Sequence, residues 1–208
     1  MFVRDIMTRN PVSVKPDATL RELITLMSEK TFEAIPVRSN GKLLGMVTDW
    51  DIVTNSPKAK DPNYLDGTKV KDIMTRNVQT VAEDEIIEAA AAHMFFHDLD
   101  ALPVVDKEGQ LVAIVTQNDV FRTLVSLMGL RAKGTRITLD VPDNVGVMAD
   151  IAGTVAEMGI NISSVSTNIP PGSGNGLVIL RVKTGEVEEL VEKLSKKYKV
   201  VHVSQTWE

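Results

Sequence analysis

The sequence predicts an α+β chain: a β-α-β-β-α unit written twice, then a β-α-β-β-α-β unit. Three observations carry this. The string Asp-Ile-Met-Thr-Arg-Asn stands at residues 5–10 and again at 72–77. Short apolar strands beside Gly turns alternate with stretches whose apolar residues recur at i, i+3, i+4 and i+7, the helical stripe. From residue 135 the repeat does not return. The units are 1–56 (first repeat), 57–68 (linker), 69–129 (second repeat), 130–134 (linker) and 135–208 (last unit).

In the first repeat, Thr19-Leu-Arg-Glu22 is a capping-box pattern. It opens a helix with Leu20, Leu23, Ile24 and Met27 on one face. A buried strand, Ala34–Val37, leads through Asn40-Gly41, a hairpin signal, into a second strand, Leu43–Val47. Thr48 then starts another helix. The second repeat follows the same order through Ile86–Phe96, Leu102–Val105, Gly109, Leu111–Val115 and Thr116. Its last helix, about Asn118 to Met128, carries Phe121, Leu124, Val125 and Met128 on one face and ends at Gly129, a C-cap residue. Between the repeats, Ser56–Lys69 reads as loop, broken by Pro57, Pro62 and Asp66-Gly67.

In the last unit, Arg136–Val141 alternates as a strand and Val147–Met158 is a helix closed by Gly159. Strands Asn161–Asn168 and Leu177–Val182 flank a turn rich in Pro, Gly and Ser. Glu186–Lys197 is an amphipathic helix with acids first and lysines last, as the helix dipole favours. Val200–Ser204 closes the unit. This element order is the ferredoxin-like arrangement.

Composition narrows the function. The chain has 23 Lys and Arg against 28 Asp and Glu, a net charge of −5 and no cysteine. That excludes disulfide scaffolds and thiolate zinc sites and argues against binding nucleic acid by general phosphate attraction. DNA contact through the basic stretch 130–136 is disfavoured for the same reason. No run reaches the length of a membrane span and no signal-peptide pattern opens the chain, so a cytoplasmic protein without membrane partners is expected. His93 and His97 have helical i, i+4 spacing. His93 aligns with the core position Leu26 and His97 with the helix end at Lys30, so no metal is expected there. Neither a nucleophile elbow nor a phosphate loop is present, and no enzyme is expected.

The two repeats resemble CBS (cystathionine-β-synthase) repeats, on the Asp-Ile-Met-Thr starts, the apolar-Pro-Val strands and the segments Gly41–Asp51 and Gly109–Asp119. The tail, with Val141–Gly153 and Gly159–Ser163, resembles an ACT domain. A CBS pair with an ACT unit and no attached enzyme resembles the acetoin-utilisation regulatory group.

Thr48/Asp51 and Thr116/Asp119 stand at helix starts. An aspartate there can accept ribose hydroxyls, while the threonine and free N–H groups favour phosphate. The same spacing is also a self-contained cap that needs no ligand. The resemblance implies that these positions bind an adenine nucleotide (AMP, ADP, ATP) or S-adenosylmethionine as a regulatory ligand, with no cofactor. Ser13, Ile35 and Pro36 in one repeat, and Thr80, Leu102 and Pro103 in the other, would wall the pocket. Arg122, one turn past Asp119, would meet phosphate charge. In the ACT unit the resemblance implies amino-acid binding at Asp143, Asn144, Gly146 and Asn161; a purely dimerising unit is the alternative. The expected protein is a homodimeric sensor acting on an enzyme or transporter, or else a scaffold with empty clefts. CBS pairs associate through helices, and the apolar faces Leu20–Met27 and Phe121–Met128 suit that.

Overall fold

The computed structural model describes residues 1–55, 62–130 and 133–206. They form two compact units, Met1–Phe121 and Arg122–Glu208.

The first unit opens with a 3₁₀ turn, Val3–Asp5, and a two-residue strand β1 (Thr8–Arg9). The first repeat follows as α1 (Leu20–Lys30), β2 (Ala34–Ser39), β3 (Lys42–Thr48) and α2 (Asp49–Asn55). Thr19 caps α1 as its sequence foretells: its Oγ1 accepts from Glu22 N at 3.2 Å and Glu22 Oε2 accepts from Thr19 N at 2.7 Å. Leu20, Leu23 and Met27 are buried. Asn40 and Gly41 both take positive φ (49° and 82°), the signature of a type I′ hairpin.

Within the segment expected as loop, Tyr64–Gly67 is a short helix, α3, and α4 (Val70–Ile73) follows. Tyr64 is the reason: its ring is buried and its hydroxyl donates to Asn55 O at 2.8 Å. Pro57 and the rest of 56–61 lie outside the described residues. The second repeat comprises α5 (Ile87–His97), β4 (Ala101–Val105), β5 (Leu111–Thr116) and α6 (Gln117–Leu127).

Each repeat is completed by the opening segment of the other. Thr8 and Arg9 of β1 pair antiparallel with Ile114 and Ala113 of β5. Reciprocally, Thr75 exchanges backbone hydrogen bonds with Met46 of β3, at 2.8 and 3.0 Å. The cores follow suit. Val3 and Met7 pack with Val81, Met94, Leu102 and Val115 of the second repeat, while Val70 and Ile73 pack with Leu20, Leu23, Ile35 and Val47 of the first.

The second unit runs β6 (Gly134–Pro142), α7 (Val147–Glu157), β7 (Ile162–Asn168), β8 (Asn175–Val182), α8 (Glu188–Ser195) and β9 (Lys199–Thr206), and its four strands form an antiparallel sheet in the order β7-β8-β6-β9. This is the ferredoxin-like order. Of the expected linker, Arg131 and Ala132 lie outside the described residues and Gly134 already belongs to β6. The core is Ile137, Leu139 and Val141 of β6 against Ile151 and Val155 of α7 and Leu190 and Leu194 of α8. Asp150 ties the helix ends together, accepting from Lys197 Nζ at 2.5 Å and Tyr198 Oη at 2.8 Å. Those two bonds hold its carboxyl below the usual carboxylate range.

Among the described residues, no helix is long and apolar enough to cross a membrane, and no cluster of three or more His, Asp or Glu side chains could hold a metal. His93 is exposed, where its alignment with Leu26 implied a core position. Its ring stacks on His97 at 5.7 Å, and His97 Nδ1 lies 3.0 Å from His93 O.

Candidate functional site

The Thr-x-x-Asp motifs fall where strand turns into helix, and both make reciprocal caps. Asp51 Oδ2 accepts from Thr48 N at 2.8 Å and from Thr48 Oγ1 at 2.9 Å, while Thr48 Oγ1 accepts from Asp51 N at 3.2 Å. In the second repeat the three distances are 3.0, 2.7 and 3.2 Å. The caps therefore exist without a ligand. They also fix both half-buried carboxylates in one orientation, each at the start of its helix; of the four motif residues only Thr116 lines the cleft between the repeats.

A cleft of about 340 Å³ lies between the repeats. Thr31, Phe32, Glu33 and Ala34 line it from the first repeat; Asp100, Ala101, Thr116, Gln117 and Asn118 line it from the second. Backbone bonds on both sides hold its shape: Asp49 N donates to Glu33 O at 3.0 Å and Gln117 N to Asp100 O at 2.8 Å.

Of the expected pocket residues, Thr116 lines this cleft. Ile35 and Leu102 have no exposed surface and belong to the two cores, and Pro36 and Pro103 are buried. Successive side chains of a strand face opposite ways, so in each repeat the alanine one place earlier, Ala34 or Ala101, faces the cleft instead. Ser13 and Thr80 sit beside these strands, since Val14 and Val81 make parallel bridges to Val37 and Val104. They open onto two other grooves: Ser13 with Lys15, Asp17 and Arg38, and Thr80 with Arg9, Asp84 and Lys107. Arg122 is exposed on α6 and is not among the residues lining the cleft.

Thr116 is the one lining residue that the sequence marks; the two charged ones, Glu33 and Asp100, escaped it. Their signal was present: an acid directly precedes Ala-Ile-Pro-Val in one copy and Ala-Leu-Pro-Val in the other.

In the second unit Asp143, Asn144 and Gly146 form the turn between β6 and α7, all exposed, and Asn161 is exposed just before β7. Neither Asp143 nor Asn144 caps α7. Its N-cap is Gly146, with φ of 93° and no side-chain bond. A Cβ there would meet nothing within 4 Å, so backbone conformation rather than crowding calls for glycine.

The CBS domain model matches residues 3–58 and 70–126. The chain belongs to the CBS domain family. A second model, the AHAS small subunit-like ACT domain, matches residues 137–202. The chain spans about a quarter of the length of the first curated relatives it matches. One of these, the homoserine O-acetyltransferase of Methanohalobium evestigatum, is 38% identical over 124 residues, 59% of this chain and 24% of the relative.

Three solved structures are also similar. The CBS domain pair of protein MJ0100, in complex with 5′-methylthioadenosine and S-adenosyl-L-methionine, is 30% identical with a TM-score of 0.53, covering 60% of this chain and 99% of that one. CBSX2 of Arabidopsis thaliana in complex with AMP is 31% identical with a TM-score of 0.53, covering 60% and 96%. A Vibrio cholerae protein named for acetoin utilization (AcuB) is 29% identical with a TM-score of 0.56, covering 63% and 95%.

Proposed function

We propose that this chain is a non-enzymatic regulatory protein whose CBS pair binds an adenine nucleotide or S-adenosylmethionine in the cleft between its repeats. The observation that carries this reading is the cleft itself, lined by Thr116 and by Gln117 and Asn118 at the start of an 11-residue helix. Two similar CBS pairs have adenosyl compounds bound. Ligand would act by favouring one arrangement of the repeats, or of two subunits, over another, because only differential affinity shifts such an equilibrium. The ACT unit would bind an amino acid through Asp143, Asn144, Gly146 and Asn161, or serve assembly. The regulated target would be an enzyme or transporter.

The test is calorimetric titration of Asp119→Ala and Asp119→Asn against the parent with adenosine, AMP and S-adenosylmethionine. Both variants should bind the parent's ligand at least about tenfold more weakly, a loss of about 1.4 kcal/mol, while remaining folded by circular dichroism. Unchanged affinity removes Asp119 from the site.

A second reading, a dimerising scaffold with empty clefts, draws on Trp50, Phe95, Phe96 and Phe121, which are between 68% and 79% exposed. Failure of every adenosyl compound to bind nucleotide-free protein selects it.

A further inference from the structure

The cleft is acidic on both sides. Glu33 enters from the first repeat and Asp100 from the second, at equivalent places before β2 and β4. No lysine, arginine or histidine lines it. Among the described residues, neither carboxylate is hydrogen-bonded or ion-paired; only the backbone carbonyls of these two residues are engaged. The cap of α6 holds a third carboxylate, Asp119, next in sequence to the lining residue Asn118.

One feature favours the opposite sign. The N-terminus of α6 carries about half a positive charge. Three of its donors are already spent, however: Thr116 Oγ1 and Asp119 N within the cap, and Gln117 N on Asp100 O. Asp119 itself, in the first turn, offsets the dipole. Two full negative charges on the walls then outweigh what remains, so the cleft opposes a phosphate dianion and favours a neutral or cationic group.

We infer that the cleft selects adenosyl compounds whose 5′ substituent bears no net negative charge, a thioether or a sulfonium, over phosphorylated adenine nucleotides. This rests on the proposed reading of the cleft as the adenosyl site and adds the sign of charge that it accepts.

Full-length protein, freed of carried-over nucleotide, would be titrated calorimetrically with adenosine, 5′-methylthioadenosine, S-adenosylmethionine, AMP and ATP. The same series would be run on the double variant Glu33→Gln/Asp100→Asn; both positions are exposed, so folding is unaffected. In the parent, the thioether and the sulfonium should bind at least about tenfold more tightly than AMP, with ATP weaker still. Raising the salt should weaken the sulfonium and leave the thioether nearly unchanged. In the double variant, the preference for thioether and sulfonium over AMP should shrink several-fold.

AMP binding as tightly as the thioether in the parent would overturn the inference and leave the adenosyl site standing. So would a preference that the double variant leaves intact. No binding of any of the five compounds would instead overturn the reading of the cleft as an adenosyl site.

Discussion

Gly45 is kept without a side chain by a neighbouring backbone. A Cβ there would stand 2.4 Å from Thr75 O and 3.3 Å from Met74 Sδ, because the start of the second repeat closes over β3 at that point. A carbonyl held in a two-way pairing with Met46 cannot step aside as a flexible side chain would. Gly45→Ala should therefore cost about 1–3 kcal/mol, the usual range for overpacking a filled core, read as a lower urea midpoint at unchanged slope. In the second repeat Ala113, at the equivalent place, is wholly buried opposite Arg9, so its strand pair accommodates one methyl group. At this scale the sequence was partly legible. The Thr-x-x-Asp caps and the Asn40-Gly41 turn depend on neighbours within four residues, and their residue types name them. Which of Ala34 and Ile35 faces the cleft depends on strand register, and the unbroken apolar run Ala34–Val37 has no alternation to reveal it.

The elements came through for a similar reason. The stripe along α1 and the alternation along β6 are local periodicities, and both bury the faces that they mark. The face Leu20–Met27, expected to serve association, is spent on the core of its own repeat. The exchange of opening segments was not legible, because copies that share Asp-Ile-Met-Thr-Arg-Asn give no sign of which sheet each string will join. It has a measurable signature. Val3 is fully buried in the second repeat's core although it belongs to the first in sequence. Val3→Ala should cost about 2 kcal/mol and speed amide exchange in β4 and β5 while β2 and β3 keep their protection. Ile73→Ala should do the reverse, exposing β2 and β3. If both variants loosened the repeat that contains them in sequence, the exchange would be wrong.

At the scale of the molecule, the exposed aromatic residues are the largest feature that the core leaves unexplained. Trp50 at the start of α2 and Phe121 on α6 are 69% and 68% exposed. Large apolar side chains gathered into one exposed patch mark association faces, and the proposed homodimer would cover these two together. Trp50→Glu/Phe121→Glu should lower the sedimentation coefficient to that of a monomer and leave far-UV circular dichroism unchanged; an unaltered coefficient would place the interface elsewhere.

The exchanged segments also set an order on synthesis. A ribosome releases β1 long before β5 exists, so this segment must wait for its partner strand. The first repeat can close once Thr75 has emerged. The second must wait for its own strands and then recover a segment made well before them. Until then Val3 and Met7 travel as exposed apolar side chains, and it is in that interval that a chaperone would meet this protein.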